Sequence, residues 1–274
     1  MPTPRSPADG EFLIEPEALL RDRGAAILVD TRPAKSYAAG HIPGAIALST
    51  YDRFTPGTRP AELAGFRREL AAVYGTAGLT RDRPIVVYED ITGMRAARDL
   101  WLLEYLGHTG ARMLHGGLEA WIAAGGPVTQ EPAALPAATF AAGEVPALVI
   151  GSDEIVAPGA KDRLLLLDVR DDNEFRGRDH TACCARRGRL PGARWLEWTE
   201  FLGSDGRFLA PEAIRARLAA LGADAGRTIV PYCHRGARSA NSYYALRHAG
   251  YTAVRNYIGS WHDWSARTDL PLEV

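Results

Sequence analysis

The sequence predicts an α/β protein built as two tandem domains of one design, each a mainly parallel sheet flanked by helices. Three observations lead there. The chain has 274 residues, more than one ordinary core needs, and half of it is enough for a domain. Short segments recur in the same order in both halves. Between them, β-rich runs without apolar/polar alternation take turns with segments of helical periodicity, the pattern of strands covered on both faces.

The repeat sets the frame. LVDTR (Leu28 to Arg32) recurs as LDVR (Leu167 to Arg170), and HIPGA (His41 to Ala45) as RLPGA (Arg189 to Ala193). IVVY (Ile85 to Tyr88) matches IVPY (Ile229 to Tyr232), GMRAA (from Gly93) matches GARSA (from Gly236), and LHGGLEAW (Leu114 to Trp121) matches YIGSWHDW (Tyr257 to Trp264). Asp30 and Asp168 lie 138 positions apart, but His41 and Arg189 lie 148 apart, so the second copy carries a ten-residue insertion between those motifs. The stretch 126–147 is rich in Ala, Pro and Gly and reads as an extended linker. The expected division is 1–125, the linker, and 148–274.

Within the copies, 26–30, 85–88, 164–169 and 228–232 read as buried strands, and 96–106 and 239–248 as helices. Gly107 and Gly250 follow the helices as C-terminal stops. The formal net charge of −1 supplies no long-range field for nucleic acid or an anionic membrane. No apolar run reaches the length of a membrane span, and the first residues lack the apolar core of a secretion signal. Three cysteines, two of them adjacent, argue against a disulfide framework. A cytoplasmic chain with thiol chemistry is the expectation.

That chemistry points to Cys233, which ends the strand TIVPY and opens the loop Cys233-His234-Arg235-Gly236-Ala237-Arg238-Ser239 before a helix. At the carboxyl end of a parallel strand, loop N–H groups and a helix N-terminus converge on such a side chain. With neighbouring arginines, that setting lowers a thiol from its usual pKa of about 8.5 toward 7 or below. Arg235 and Arg238 offer fixed positive charge for an anion, Gly236 a backbone freedom other residues lack, and Ser239 a helix cap or a hydrogen bond to sulfur. The alternative is a buried, inert thiol, but two arginines and a glycine are odd neighbours for an apolar position.

With these motifs in view, both copies resemble rhodanese domains, and the pair is similar to tandem thiosulfate and 3-mercaptopyruvate sulfurtransferases. The resemblance implies a catalytic second copy, with Cys233 cycling between thiolate and persulfide, and a non-catalytic first copy. Glu89 or Asp90 stands where the second copy has Cys233, and neither carries sulfur. The loop CHRGARS is closer to the basic loops of thiosulfate enzymes than to CGSGVT-like loops of mercaptopyruvate enzymes. Arg235 is therefore expected to bind the donor's sulfonate, with His234, Gly236, Arg238 and Ser239 completing the substrate site. Cyanide, a small thiol or a protein thiol is the expected acceptor, and no cofactor or metal is required. Glu174 stands where several relatives have a substrate-binding Arg, a gap that Arg186, Arg187 or Arg189 could fill and one that keeps 3-mercaptopyruvate open as the alternative donor. Arg187, Asp168 and Trp261 are expected just behind the site. Asp30 with Arg32 and Asp168 with Arg170 read as charge pairs bracing loops.

Three further readings stay open. A phosphatase loop has five residues between Cys and Arg, whereas Arg238 follows Cys233 after four. A sulfur-sensing module would hold a reactive thiol without turnover. In the insertion, the adjacent Cys183 and Cys184, with His180, are poorly spaced for joint metal binding, and one of them could accept sulfur or protect Cys233.

Overall fold

The computed structural model describes residues 12–179, 184, 186–223 and 226–274; His180 and Cys183 lie outside them. Two units emerge. One comprises residues up to Asp52, Arg67–Val145 and Leu202–Phe208; the other comprises Arg53–Phe66, Pro146–Phe201 and Leu209–Val274. Each therefore includes a short segment from the other half of the sequence, which the repeats do not reveal.

The first unit is built on β1 (Leu13–Ile14), β2 (Ile27–Asp30), β3 (Ile46–Ala47), β4 (Ile85–Tyr88) and β5 (Ala111–Leu114). All pairs are parallel, in the order β1-β5-β4-β2-β3. Its helices are α1 (Pro16–Arg21), α2 (Ala34–Ala39), α4 (Met94–Tyr105) and α5 (Gly117–Ala123), and α3 (Pro60–Thr76) carries its later residues here. The stretch 126–145 is extended along this unit: His41 bridges Thr129, Ile46 bridges Ala133, and Phe140 is buried.

The second unit repeats the plan with α6 (Ser152–Ile155), α7 (Ala160–Arg163), β6 (Leu164–Asp168), α8 (Asp172–Phe175), β7 (Arg194–Trp195), α9 (Pro211–Ala219), β8 (Thr228–Tyr232), α10 (Ala237–His248) and α11 (Ser260–Ala266). Strands run β7-β6-β8, all parallel, and parallel bridges Ile229 to Val254 and Val149 to Asn256 extend the same order outward. Both β4 and β8 thus lie centrally. Their residues are buried from end to end apart from half-buried Thr228, which is why these strands read as unbroken apolar runs. Each fully buried Leu or Val contributes about 1.5–3 kcal/mol.

The two copies also share a polar brace. Arg32 forks onto Asp30 and donates to the Gly40 carbonyl; Arg170 forks onto Asp168 and donates to the Gly188 carbonyl. Tyr88 accepts from Ile42 N–H as Tyr232 accepts from Leu190 N–H. Tyr232 also donates to Asp168 at 2.6 Å. Asp168 and Arg170 are 0% and 2% exposed, so removing either partner strands a buried charge and costs about 3–5 kcal/mol.

Candidate active site

The register places Cys233. Tyr232 pairs with Asp168 and Tyr88 with Asp30 at the ends of the central strands, so the next residues, Cys233 and Glu89, occupy equivalent positions. Beyond Cys233 the chain turns through Gly236, at φ +87°, into α10. A Cβ there would lie 2.4 Å from Ile258 Cδ1 and 2.7 Å from the Ile258 carbonyl oxygen, so only glycine fits.

This turn aims donors at sulfur. Gly236 N–H donates to Cys233 Sγ at 3.1 Å, and the hydroxyls of Ser239 and Ser260 lie 3.8 and 3.9 Å away. Cys233 is 1% exposed. Burial pushes its pKa up, but the Arg238 charge and hydrogen bonds from Ser239 and the Arg235 backbone outweigh that and hold the thiol below its ordinary range. The result is a buried thiol whose surroundings favour the thiolate form.

Ser239 is inside α10, whose cap is Gly236, so of its two expected roles the structure supports the contact with sulfur. Arg238 does not stand ready for an anion as expected. Glu174 accepts from both its terminal nitrogens, at 2.5 and 3.0 Å, so what Arg238 offers the thiolate is its charge. Burial pushes the Glu174 pKa up against the pull of Arg238. Arg235 is the available cation: among the described residues no carboxylate pairs with it, and its guanidinium lies 4.1 Å over the Phe54 ring. His234 is held neutral, its pKa brought down to about 4 by burial and by Arg235 and Arg238.

Behind the loop, Trp261 N–H donates to the Cys233 carbonyl, and its buried ring lies 4.9 Å from the Arg170 guanidinium. Asp168 accepts from the hydroxyl of Tyr232, the residue before Cys233. Arg187 is exposed. Neither Arg186 nor Arg189 fills the gap left by Glu174: Arg186 donates to carbonyls of Trp264, Ser265, Arg267 and Leu270, and Arg189 pairs with Glu273.

Sequence reasoning missed two contributors. Phe54 comes from the segment 53–66 and also meets the His262 ring edge-on at 5.0 Å. That segment is fastened by Thr58, which donates to Asp263 at 2.6 Å beside the Tyr257 hydroxyl. The second is Ser260, the one non-glycine residue at positive φ among the described residues, at +53°. Its Oγ accepts from Cys233 N–H and donates to the Tyr257 carbonyl. Comparing the copies would have found it, because the equivalent residue is Gly117, at φ +61°. Such strain is retained where the side chain has work to do. Ser260→Gly is expected to leave stability within about 1 kcal/mol, since relieved strain offsets added chain entropy. Turnover should fall on the order of tenfold or more because the acceptor that holds the Cys233 N–H is lost; thermal melts alongside rate measurements check both.

In the first unit, the space that holds sulfur in the second is closed by a carboxylate. Glu89 accepts from the N–H groups of Arg95, at 2.6 Å, and Ala96, capping α4 from within. It is thus Glu89, not Asp90, that replaces the cysteine; Asp90 pairs with Arg32. Burial raises the Glu89 pKa to about 7, against the pull of those N–H groups and Arg95. Its stabilising, protonated form is complete below the usual 4.5 and is lost as pH rises through 7. Glu89→Gln keeps the acceptor without the charge, so its Tm should exceed that of wild type by a few degrees at about pH 8, the gap closing near pH 5.

The rhodanese-like domain family matches twice, over residues 15–124 and 152–267. The chain belongs to the rhodanese-like family of sulfurtransferases. It is 36% identical to a probable 3-mercaptopyruvate sulfurtransferase of Pseudomonas aeruginosa, over 95% of this chain and 93% of that one. A thiosulfate sulfurtransferase of Azotobacter vinelandii is 35% identical, over 96% and 97%. The crystal structure of a probable thiosulfate sulfurtransferase superposes with a TM-score of 0.72 at 32% identity, covering 91% of this chain and 97% of that one. No helix among the described residues is long and apolar enough to cross a membrane.

Proposed function

We propose that this rhodanese-family chain takes sulfane sulfur from thiosulfate onto Cys233 and passes it to cyanide or a thiol. The Cys233 thiolate attacks the outer sulfur of thiosulfate, a bond forms between the two sulfurs, and the donor's S–S bond breaks with its electron pair leaving on sulfite. Cyanide then attacks the outer sulfur of the persulfide, giving thiocyanate and returning the thiolate. The Gly236 N–H, aimed at Sγ, stabilises the thiolate that attacks and that is regenerated.

The observation that carries the donor assignment is Arg235, half-buried in the loop and unclaimed by any carboxylate among the described residues. It can meet the sulfonate while Arg238 stays with Glu174. That same engagement of Arg238 favours a second reading, 3-mercaptopyruvate, because one of the loop's two cations is already spent on Glu174. Thiocyanate formation with each donor separates the two: kcat/KM should be higher with thiosulfate, and Arg235→Ala should raise the KM for thiosulfate. Preference for mercaptopyruvate would overturn the donor while leaving Cys233 as nucleophile. A reactive thiol and no required disulfide suit work in the reducing cytoplasm.

A further inference from the structure

Within the stretch that sets the second copy apart, the described residue Cys184 lies beside the loop that follows Cys233. Cys184, 3% exposed, places Sγ 3.2 Å from His234 Nε2. From α11, His262 turns its ring toward His234, centroids 6.3 Å apart at 80°. One ligand atom from each of Cys184, His234 and His262 lies within 4.8 Å of the others. A tetrahedral or trigonal metal with bonds of about 2.0–2.3 Å holds its ligand atoms about 3.3–4.0 Å apart, so the widest pair must close by up to about 1.5 Å on binding.

Contacts other than the three side chains themselves hold them in place. His262 N–H donates to the His234 carbonyl at 3.0 Å, which sets the two histidines against each other. Two residues past Cys184, the Arg186 carbonyl accepts from Trp261 Nε1, and the Arg186 guanidinium is anchored on four carbonyls. Phe54 covers His262. In addition, His262 Nδ1 is buried and makes no hydrogen bond, a costly state that coordination at that nitrogen would relieve.

Spacing within the sequence disfavours a metal because the two cysteines are adjacent. The fold recruits one of them with two imidazoles from 50 and 78 positions away. One thiolate sulfur and two imidazole nitrogens suit soft or borderline cations and not magnesium or calcium, which take oxygen. We propose that Cys184, His234 and His262 bind one thiophilic d10 cation, copper(I) or zinc(II), beside the catalytic loop. Since His234 directly follows Cys233, an occupied site ties the insertion to that loop and slows turnover. The inhibitory consequence rests on the sulfurtransferase reading; the binding does not.

The test is anaerobic titration of the full chain with copper(I) and, separately, zinc(II), each against a chromophoric chelator. Wild type and Cys233→Ser should both hold one equivalent of at least one cation, with Kd below about 1 μM. His262→Gln and Cys184→Ser, checked for folding by circular dichroism, should bind at least tenfold more weakly. The cation retained against its chelator identifies the natural class. Failure to bind either cation with a Kd below about 1 μM overturns the site. So does binding lost in Cys233→Ser but kept in His262→Gln, which would put the metal on the catalytic thiol.

Discussion

Thiocyanate formation by Cys233→Ser is expected to fall about a thousandfold or more, to the rate without enzyme. Serine keeps the place and an acceptor for the Gly236 N–H, which lies 3.1 Å from sulfur in wild type. Its hydroxyl, however, stays protonated at neutral pH and cannot form a persulfide. The loss should therefore be chemical and not structural, with stability changed by no more than about 1 kcal/mol. Near-normal melting with no turnover confirms this; retained turnover would place the nucleophile elsewhere.

Gly236→Ala should damage both fold and rate. The left-handed backbone at φ +87° costs a residue with a Cβ about 1–2 kcal/mol. The larger obstacle is packing. Ile258 Cδ1, at 2.4 Å from the new carbon, can swing away, but the Ile258 carbonyl oxygen at 2.7 Å belongs to the backbone leading into Ser260. The loop itself must shift, for a total loss on the order of 2–4 kcal/mol. The Gly236 N–H then moves off sulfur, and turnover should fall about 100-fold, as when one fixed donor is removed from an anion site. Adding Ile258→Ala should restore little, because the backbone contact remains. Denaturant melts and rates of the single and double variants measure this directly.

Much of the architecture was legible because it rests on local pattern. The runs at 85–88 and 228–232 are buried on both faces, so they lack alternation, and the observed strands fall on them. The helices begin two residues earlier than periodicity suggested, at Met94 and Ala237, because their first turns carry loop residues with no apolar signature. The Asp-x-Arg pairs form the expected braces. The setting of Cys233, at a strand end before a glycine turn into a helix, was legible because those residues are contiguous.

What the sequence withheld depends on residues far apart along it. Phe54 stacks on Arg235 from 181 positions away, and nothing in the pattern around Phe54 announces it. The pairing of Glu174 with Arg238 is also long-range; it changes Arg238 from an expected anion ligand into a charge fixed behind the thiolate. Cys184 finds its imidazoles only through the third dimension.

The most direct measurement is peptide mass spectrometry of the full-length protein after incubation with thiosulfate in the absence of reductant. One added sulfur atom should appear on the peptide carrying Cys233 and disappear on addition of cyanide, with thiocyanate released in equal amount. Sulfur added elsewhere, or none on Cys233 while thiocyanate still forms, would contradict the persulfide mechanism at this site.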